Sequence, residues 1–271
     1  MAPRACPLTP PARCAPRPVG DGPYLLGSEL TMHAAVLGAT SYHADPGRSL
    51  WRLDPDDKHK PYLYAVTQVE PDWTALVEQA GWAINTPSAQ PVVADYKPLL
   101  DRLAAGQIYR FRLSANPVHH IRAQGPRVPG PDGRLRLPRG RQVACRTAAQ
   151  QLDWISGHNG RHGFTIVEIP APVGSAPVID PLDLIEGVEP DHSLPVLDVK
   201  VTRARRAVFS KATNDSSGSP GGRTTVTLDI VVYEGTLTVT DPALLAQVLV
   251  AGIGSGKAYG CGMLTLARPA S

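Results

Sequence analysis

VTDPALLAQVLVAGIGSGKAYGCGMLTLA, residues 239–267, is the stretch on which the fold turns. Asp241-Pro242 supplies an N-cap and a first-turn proline. Leu244, Leu245, Val248 and Leu249 then recur at helical spacing as far as Gly252, and a final strand reads MLTLA. The glycine-rich loop therefore leads from a helix into a strand. A dinucleotide fingerprint joins a strand to a helix, so that reading fails. The phosphate-binding pattern GxxxxGK[ST] fails as well, because Ala251 stands five before Gly256 and Ala258 replaces the required hydroxyl residue. What is left is a loop poor in side chains, whose backbone N–H groups, together with Lys257, can approach a phosphate chain closely. Gly254, Gly256 and Lys257 are its candidate ligand contacts.

Upstream, IYRFRLSA at 108–115 alternates Tyr109, Phe111 and Leu113 with Arg110, Arg112 and Ser114, the pattern of a half-buried strand. TAAQQLDWIS at 147–156 predicts a helix, and Phe164 to Ile169 a strand. Val196–Ser210 and Thr224–Tyr233 flank NDSSGSPGG and predict a hairpin. From Ile108 onward the order β, α, β, β, β, α, glycine loop, β approximates a ferredoxin-like unit with an added strand. Before it, Ser28 caps a predicted helix carrying Met32, His33, Val36 and Leu37. Strands follow near Leu50–Leu53 and Tyr62–Thr67, then helices near Trp73–Ala80 and Tyr96–Ala105. The class is α+β: two ferredoxin-like (RRM-like) units in tandem, 28–105 and 106–271. Residues 1–27 precede them, with seven prolines before position 24 and no room for a regular strand. The first unit is thus expected to lack its opening strand.

With 271 residues and 42% hydrophobic content, the chain can bury real cores. No apolar run reaches the roughly 18 residues that span a bilayer, and no secretory core opens the chain, which points to a cytoplasmic protein without membrane contact. Four scattered cysteines with no CxxC pair suggest neither a metal site nor a disulfide scaffold. The charge is segregated. Residues 106–161 hold ten arginines against Asp132 and Asp153, whereas 162–195 hold six acids and no Lys or Arg. Guanidinium forks suit phosphate oxygens and stack on bases. Arg127, Arg134, Arg136, Arg139 and Arg141, on a basic loop, and Arg203, in a second cluster with Arg205 and Arg206, are candidates for phosphate contact. On strand geometry Arg203 and Arg205 share one face and Arg206 shares the other with Val208. His119 and His120 are adjacent on extended chain and point apart, while Gly157 and Gly160 interrupt any helix joining His158 to His162. His33, among apolar residues, reads either as packing or as a proton-transfer group.

The ending resembles that of the CasE family, the type I-E CRISPR-associated endoribonucleases. MHAAVLGA (32–39), LWRLD (50–54), LVEQAGW (76–82), YKPLLDRLAAGQIYRFRLSANPVH (96–119), TAAQQLDWI (147–155) and RHGF (161–164) agree in order. The resemblance implies tandem ferredoxin-like domains and cleavage of CRISPR precursor RNA beside a stem-loop, without metal or cofactor. It also implies retention of the product within the Cascade surveillance complex, with no direct DNA contact. His33 matches the family's catalytic position. The products implied are a 2′,3′-cyclic phosphate and a 5′-hydroxyl. Leu30 stands where family members carry a tyrosine, which leaves open a non-catalytic subunit that only binds the RNA hairpin.

Overall fold

The computed structural model describes residues 4–5, 28–54, 61–79, 91–121, 128–129, 133–136, 140–169, 196–214 and 220–269. The first unit is built from β1 (Arg4–Ala5), α1 (Glu29–Gly38), β2 (Leu50–Asp54), β3 (Tyr62–Thr67), α2 (Thr74–Gln79) and β4 (Ala94–Asp95), followed by the single turn α3 (Lys97–Leu100). Its antiparallel sheet runs β2-β3-β1-β4. A first strand lying between the third and fourth, with helices after the first and third, is the ferredoxin-like arrangement. Here the expectation drawn from the proline-rich start is corrected. Arg4 and Ala5 take the opening-strand position, opposite Thr67 and Val66 on one side and Asp95 and Ala94 on the other. The prolines at positions 3 and 7 leave a gap just wide enough for two paired residues.

The second unit repeats the order with longer first, third and fourth strands: β5 (Ile108–Ala115), α4 (Ala148–Ser156), β10 (Phe164–Ile166), β14 (Pro220–Val239), α5 (Pro242–Ala251) and β15 (Leu264–Ala267), in the sheet order β10-β14-β5-β15. Thr147 and Gln150 close a capping box on α4, and Asp241 caps α5 through the N–H groups of Ala243 and Leu244. The added strand β13 (Val199–Asn214) pairs with β14 from Gly235 outward, so the predicted hairpin is a long ribbon leaving the sheet. The predicted basic loop is also corrected, because its alternating residues pair across short ribbons. β6 (Val118–Ile121) pairs with β9 (Arg141–Ala144), and β7 (Val128–Pro129) with β8 (Leu135–Arg136). The short β11 (Glu168–Ile169) and β12 (Val196–Leu197) pair at the ends of the acidic 170–195 segment, which lies outside the described residues.

One core runs through both units. Leu50 and Val66 of the first sheet pack in the same cluster as Leu113, Tyr233, Leu249 and Leu264. A polar clasp crosses the same boundary. Arg52, 3% exposed, donates Nε and Nη2 to the Asp54 carboxylate at 2.8 and 2.9 Å, and Nη1 to the Arg112 carbonyl (3.0 Å) and Thr265 Oγ1 (2.8 Å). No helix among the described residues is long and apolar enough to cross a membrane.

Candidate active site

Helix α1 buries Met32 and Val36 against Trp51 and Ala65 of the first sheet. Glu29 and His33, four apart, share a neighbouring face and turn toward the second unit. Glu29 pairs with Arg205 of β13. The His33 ring meets the Tyr259 ring edge-on, with centroids 5.4 Å apart and planes at 65°. Tyr259 in turn meets Phe209 of β13 at 4.8 Å. The imidazole is half-buried, and its pKa is held below the usual histidine value, first by burial and then by the ammonium of Lys211. His33, Tyr259, Phe209 and Lys211 thus converge from a helix, a turn and a strand distant in sequence.

Strand geometry explains that convergence. Arg205, Ala207, Phe209 and Lys211 alternate onto one face of β13, and Val226, Leu228 and Ile230 stand opposite them on β14. This face closes over Cys261 and Tyr259. Burial pushes the Cys261 thiol up to about 12, so it fills space beneath the loop as a neutral group. Val208, on the other face with Arg206, is exposed. Arg206 pairs there with Asp229.

The glycine loop is shaped by close approach. A 3-10 turn over Lys257–Tyr259 is bracketed by Gly256 and Gly260, both left-handed, at φ 75° and 77°. A Cβ on Gly260 would lie 2.8 Å from the Trp51 ring, whose Nε1 donates to the Ala258 carbonyl at 3.1 Å. Gly254 lies against Trp154, and Ser255 is tied to Asn116 at 3.1 Å. Lys257, partly buried and close to Arg48, has its pKa lowered by burial and by that arginine.

Of the residues singled out in the sequence, the structure brings His33 to the loop holding Gly254, Gly256 and Lys257. Arg203 is exposed on β13, and Arg134 is exposed just before β8. Arg141 lines a cavity of about 690 Å3 with Asn116, Arg146 and Asp229. Arg136 is on β8, and Arg127 and Arg139 lie outside the described residues. Tyr259, Phe209 and Lys211 escaped the sequence reading. The alternation of Arg205, Ala207, Phe209 and Lys211 is the signal for Phe209 and Lys211, but the direction of that face becomes visible only once α1 is docked. No group of three or more His, Cys, Asp or Glu side chains able to hold a metal occurs among the described residues.

Two ferredoxin-like sheets, an imidazole at their junction and cations around a glycine-rich loop define a tandem ferredoxin-like protein suited to a polyanion. The chain belongs to the CRISPR associated protein family, whose model matches residues 8–268. It is 30% identical over 263 residues, 96% of each chain, to the CRISPR-associated endoribonuclease Cse3 of Thermus thermophilus. Among solved structures, it is similar to Cse3 bound to a 19-nucleotide RNA, with TM-score 0.61, 23% identity and coverage of 99% of this chain and 100% of that one. It is equally similar to Thermus thermophilus Cse3 bound to an RNA representing a pre-cleavage complex, with TM-score 0.60, 23% identity and the same coverage.

Proposed function

We propose that this protein is an endoribonuclease that cuts CRISPR precursor RNA at the base of the repeat stem-loop, leaving a 2′,3′-cyclic phosphate and a 5′-hydroxyl. It then retains the guide RNA as a cytoplasmic subunit of the Cascade complex. One observation carries the reading: His33 is held against Tyr259 of the glycine loop with Lys211 beside it. Family membership, and a relative named an endoribonuclease, support it.

RNA brings its own nucleophile. The enzyme must align the 2′-hydroxyl with phosphorus, move protons and stabilise the charged phosphorane. An imidazole with a lowered pKa is neutral at physiological pH and accepts the 2′-hydroxyl proton. Lys211 faces the negative charge that develops on the phosphate oxygens. The bond to the 5′-oxygen breaks as the 2′-oxygen bond forms, and the departing oxygen takes a proton, in this scheme from the Lys211 ammonium. Tyr259 holds the imidazole ring by its edge, in a chain whose helix carries Leu30 one turn earlier. The resident charges are side chains, so the scheme needs no metal. A first unit of 28–105 completed by the opening strand Arg4–Ala5, and a second of 106–271, fit this division of labour, the first bearing the imidazole and the second the cationic loop and ribbon.

The test is an RNA cleavage assay in EDTA with the repeat stem-loop. Wild-type protein is expected to release a cyclic-phosphate product, and His33→Ala to cut about 10²- to 10⁴-fold more slowly while still binding. Tight binding without cleavage by either protein would make the chain a non-catalytic hairpin-binding subunit. Absence of both binding and cleavage would remove the RNA assignment.

A further inference from the structure

A second cationic cluster stands beyond the glycine loop, in residues that the cleavage scheme leaves unused. Tyr259 and Lys257 are two apart on a turn of three residues, so they leave it in different directions. Tyr259 meets His33, whereas Lys257 is within electrostatic reach of Arg48, before β2, and of His162, after α4.

The local chain builds this cluster with care. Helix α4 ends at Gly157, and His158 Nδ1 lies 2.7 Å from the Trp154 carbonyl. A carbonyl only accepts, so Nδ1 carries the proton and Nε2 is left as the free ring nitrogen. The chain turns through Gly160 at φ 75° and returns His162 beneath His158, with rings 5.2 Å apart and 22° between planes. The glycines that end the helix are what allow the two imidazoles to stack, a pairing that the interrupted helical spacing concealed. His158 also lies 4.1 Å from the Trp154 ring, and His162 faces Phe164 at 6.4 Å. Trp154 packs directly under Gly254, which sets the imidazole pair against the wall of the loop.

The charges here are of one sign. Burial, His158, Arg161 and Lys257 all push the His162 pKa down, and Lys257 in turn feels Arg48. The carboxylates on the neighbouring elements are Asp153 and Asp241. Asp153 of α4 bears on Cys145, and Asp241, whose carbonyl abuts Gly163, caps α5. Neither offsets the positive charge at His162. Among the described residues no carboxylate counters these charges at His162, and like charges so gathered disfavour one another and favour an anion.

We propose that Arg48, His158, Arg161, His162 and Lys257 form a binding site for a phosphodiester of the RNA backbone, separate from His33, in which His162 takes up a proton as RNA binds. The proposal rests on the reading of this protein as RNA-binding. The sign of the linkage follows from the charges. In the free protein burial, and after it the neighbouring cations, hold His162 neutral until the pH is below the ordinary histidine value near 6.5. A phosphate placed among them favours the charged ring, so RNA binds more tightly as pH falls through that range, and the advantage is gone at higher pH.

The experiment measures the affinity of the full chain carrying His33→Ala for a repeat stem-loop RNA from pH 5.5 to 8, which removes the titration of His33 itself. Affinity is expected to rise toward low pH by roughly tenfold for each unit by which RNA raises the His162 pKa. Adding His162→Gln is expected to flatten the profile, and a slope unchanged by that substitution overturns the proposal. A parallel titration follows the His162 imidazole by NMR in the His33→Ala chain, so the outcome does not depend on how the second variant folds. RNA should raise its pKa, whereas an unmoved ring in the RNA complex overturns the site. Equal movement with millimolar inorganic phosphate alone would make it a free-anion site and overturn the RNA assignment. Failure to bind RNA at any pH, by contrast, removes the RNA-binding reading and this site with it.

Discussion

His33 does its proposed work through two neighbours that the sequence does not place beside it. Lys211 is 178 positions away and Tyr259 is 226 away. A base must be neutral to accept a proton, so the cleavage rate rises with pH through the imidazole pKa. Burial, and after it Lys211, set that limb below the ordinary histidine value near 6.5. Lys211→Gln removes the second cause and keeps the first. Single-turnover rates of this variant are expected to show the acidic limb moved to higher pH, toward 6.5, with a lower plateau because a cation facing the phosphorane is gone. An unmoved limb would take Lys211 out of the site. The legibility of these residues differs for a physical reason. His33 stands out because a polar ring on an apolar helix breaks a local pattern, and the family resemblance then gives it a role. Lys211 and Phe209 look like any alternating strand, and their partner is defined only by the docking of α1 on the ribbon.

Elements with a period or a cap of their own are legible in the sequence, short ones such as β2, β3 and α2 included, whereas the helix expected over Tyr96–Ala105 shrinks to the single turn Lys97–Leu100 and the strands without a period are not legible. Strand β5 and helices α4 and α5 declare themselves by period and cap, since Thr147 with Gln150 and Asp241 with Pro242 are signals contained within a few residues. Strand β1 has two residues among prolines and therefore no period at all; it exists because β3 and β4 present a slot between them. The ribbons within 118–144 were hidden for the opposite reason, their Gly, Pro and Arg content being that of a loop. The glycine loop was recognised by composition, but its shape depends on a contact from the other unit. Gly260 has φ 77° and lies under the Trp51 ring, so Gly260→Ala introduces both a strained backbone and a methyl group 2.8 Å from carbon. The variant is expected to lose more than about 1 kcal/mol in chemical denaturation. It should also lose cleavage beyond what that loss explains, because Tyr259 is the next residue back. Wild-type stability would show instead that the loop is free to move off Trp51.

At the scale of the whole molecule, the imidazole belongs to the first unit and its aromatic and cationic neighbours to the second, so the site exists only while the two stay in register. The shared core resists separation, but apolar contact is tolerant of sliding. Arg52 is not tolerant. Its guanidinium holds Asp54 in the first unit and reaches the Arg112 carbonyl and Thr265 in the second. Arg112 also approaches Asp54 at 3.4 Å and Glu234 at 3.3 Å. A planar fork with fixed donors sets both distance and rotation across the boundary. Arg52→Met keeps much of the stem's volume but leaves the Asp54 carboxylate, with 7% of its side chain exposed, without its bidentate partner. Arg112, 3.4 Å from the same carboxylate, remains as a weaker partner, so the change is expected to cost less than the about 3 to 5 kcal/mol of a fully broken buried pair. The double change Arg52→Met with Asp54→Leu removes the stranded charge and is expected to recover much of the stability, because an apolar pair of similar volume substitutes well for a buried ion pair. Cleavage separates the two roles of the clasp. If Arg52 fixes the register of the units, the double variant stays folded yet cuts poorly, while isolated binding of RNA by the second unit's ribbon is retained. Full recovery of both stability and cleavage would show that the apolar core alone aligns His33 with Tyr259.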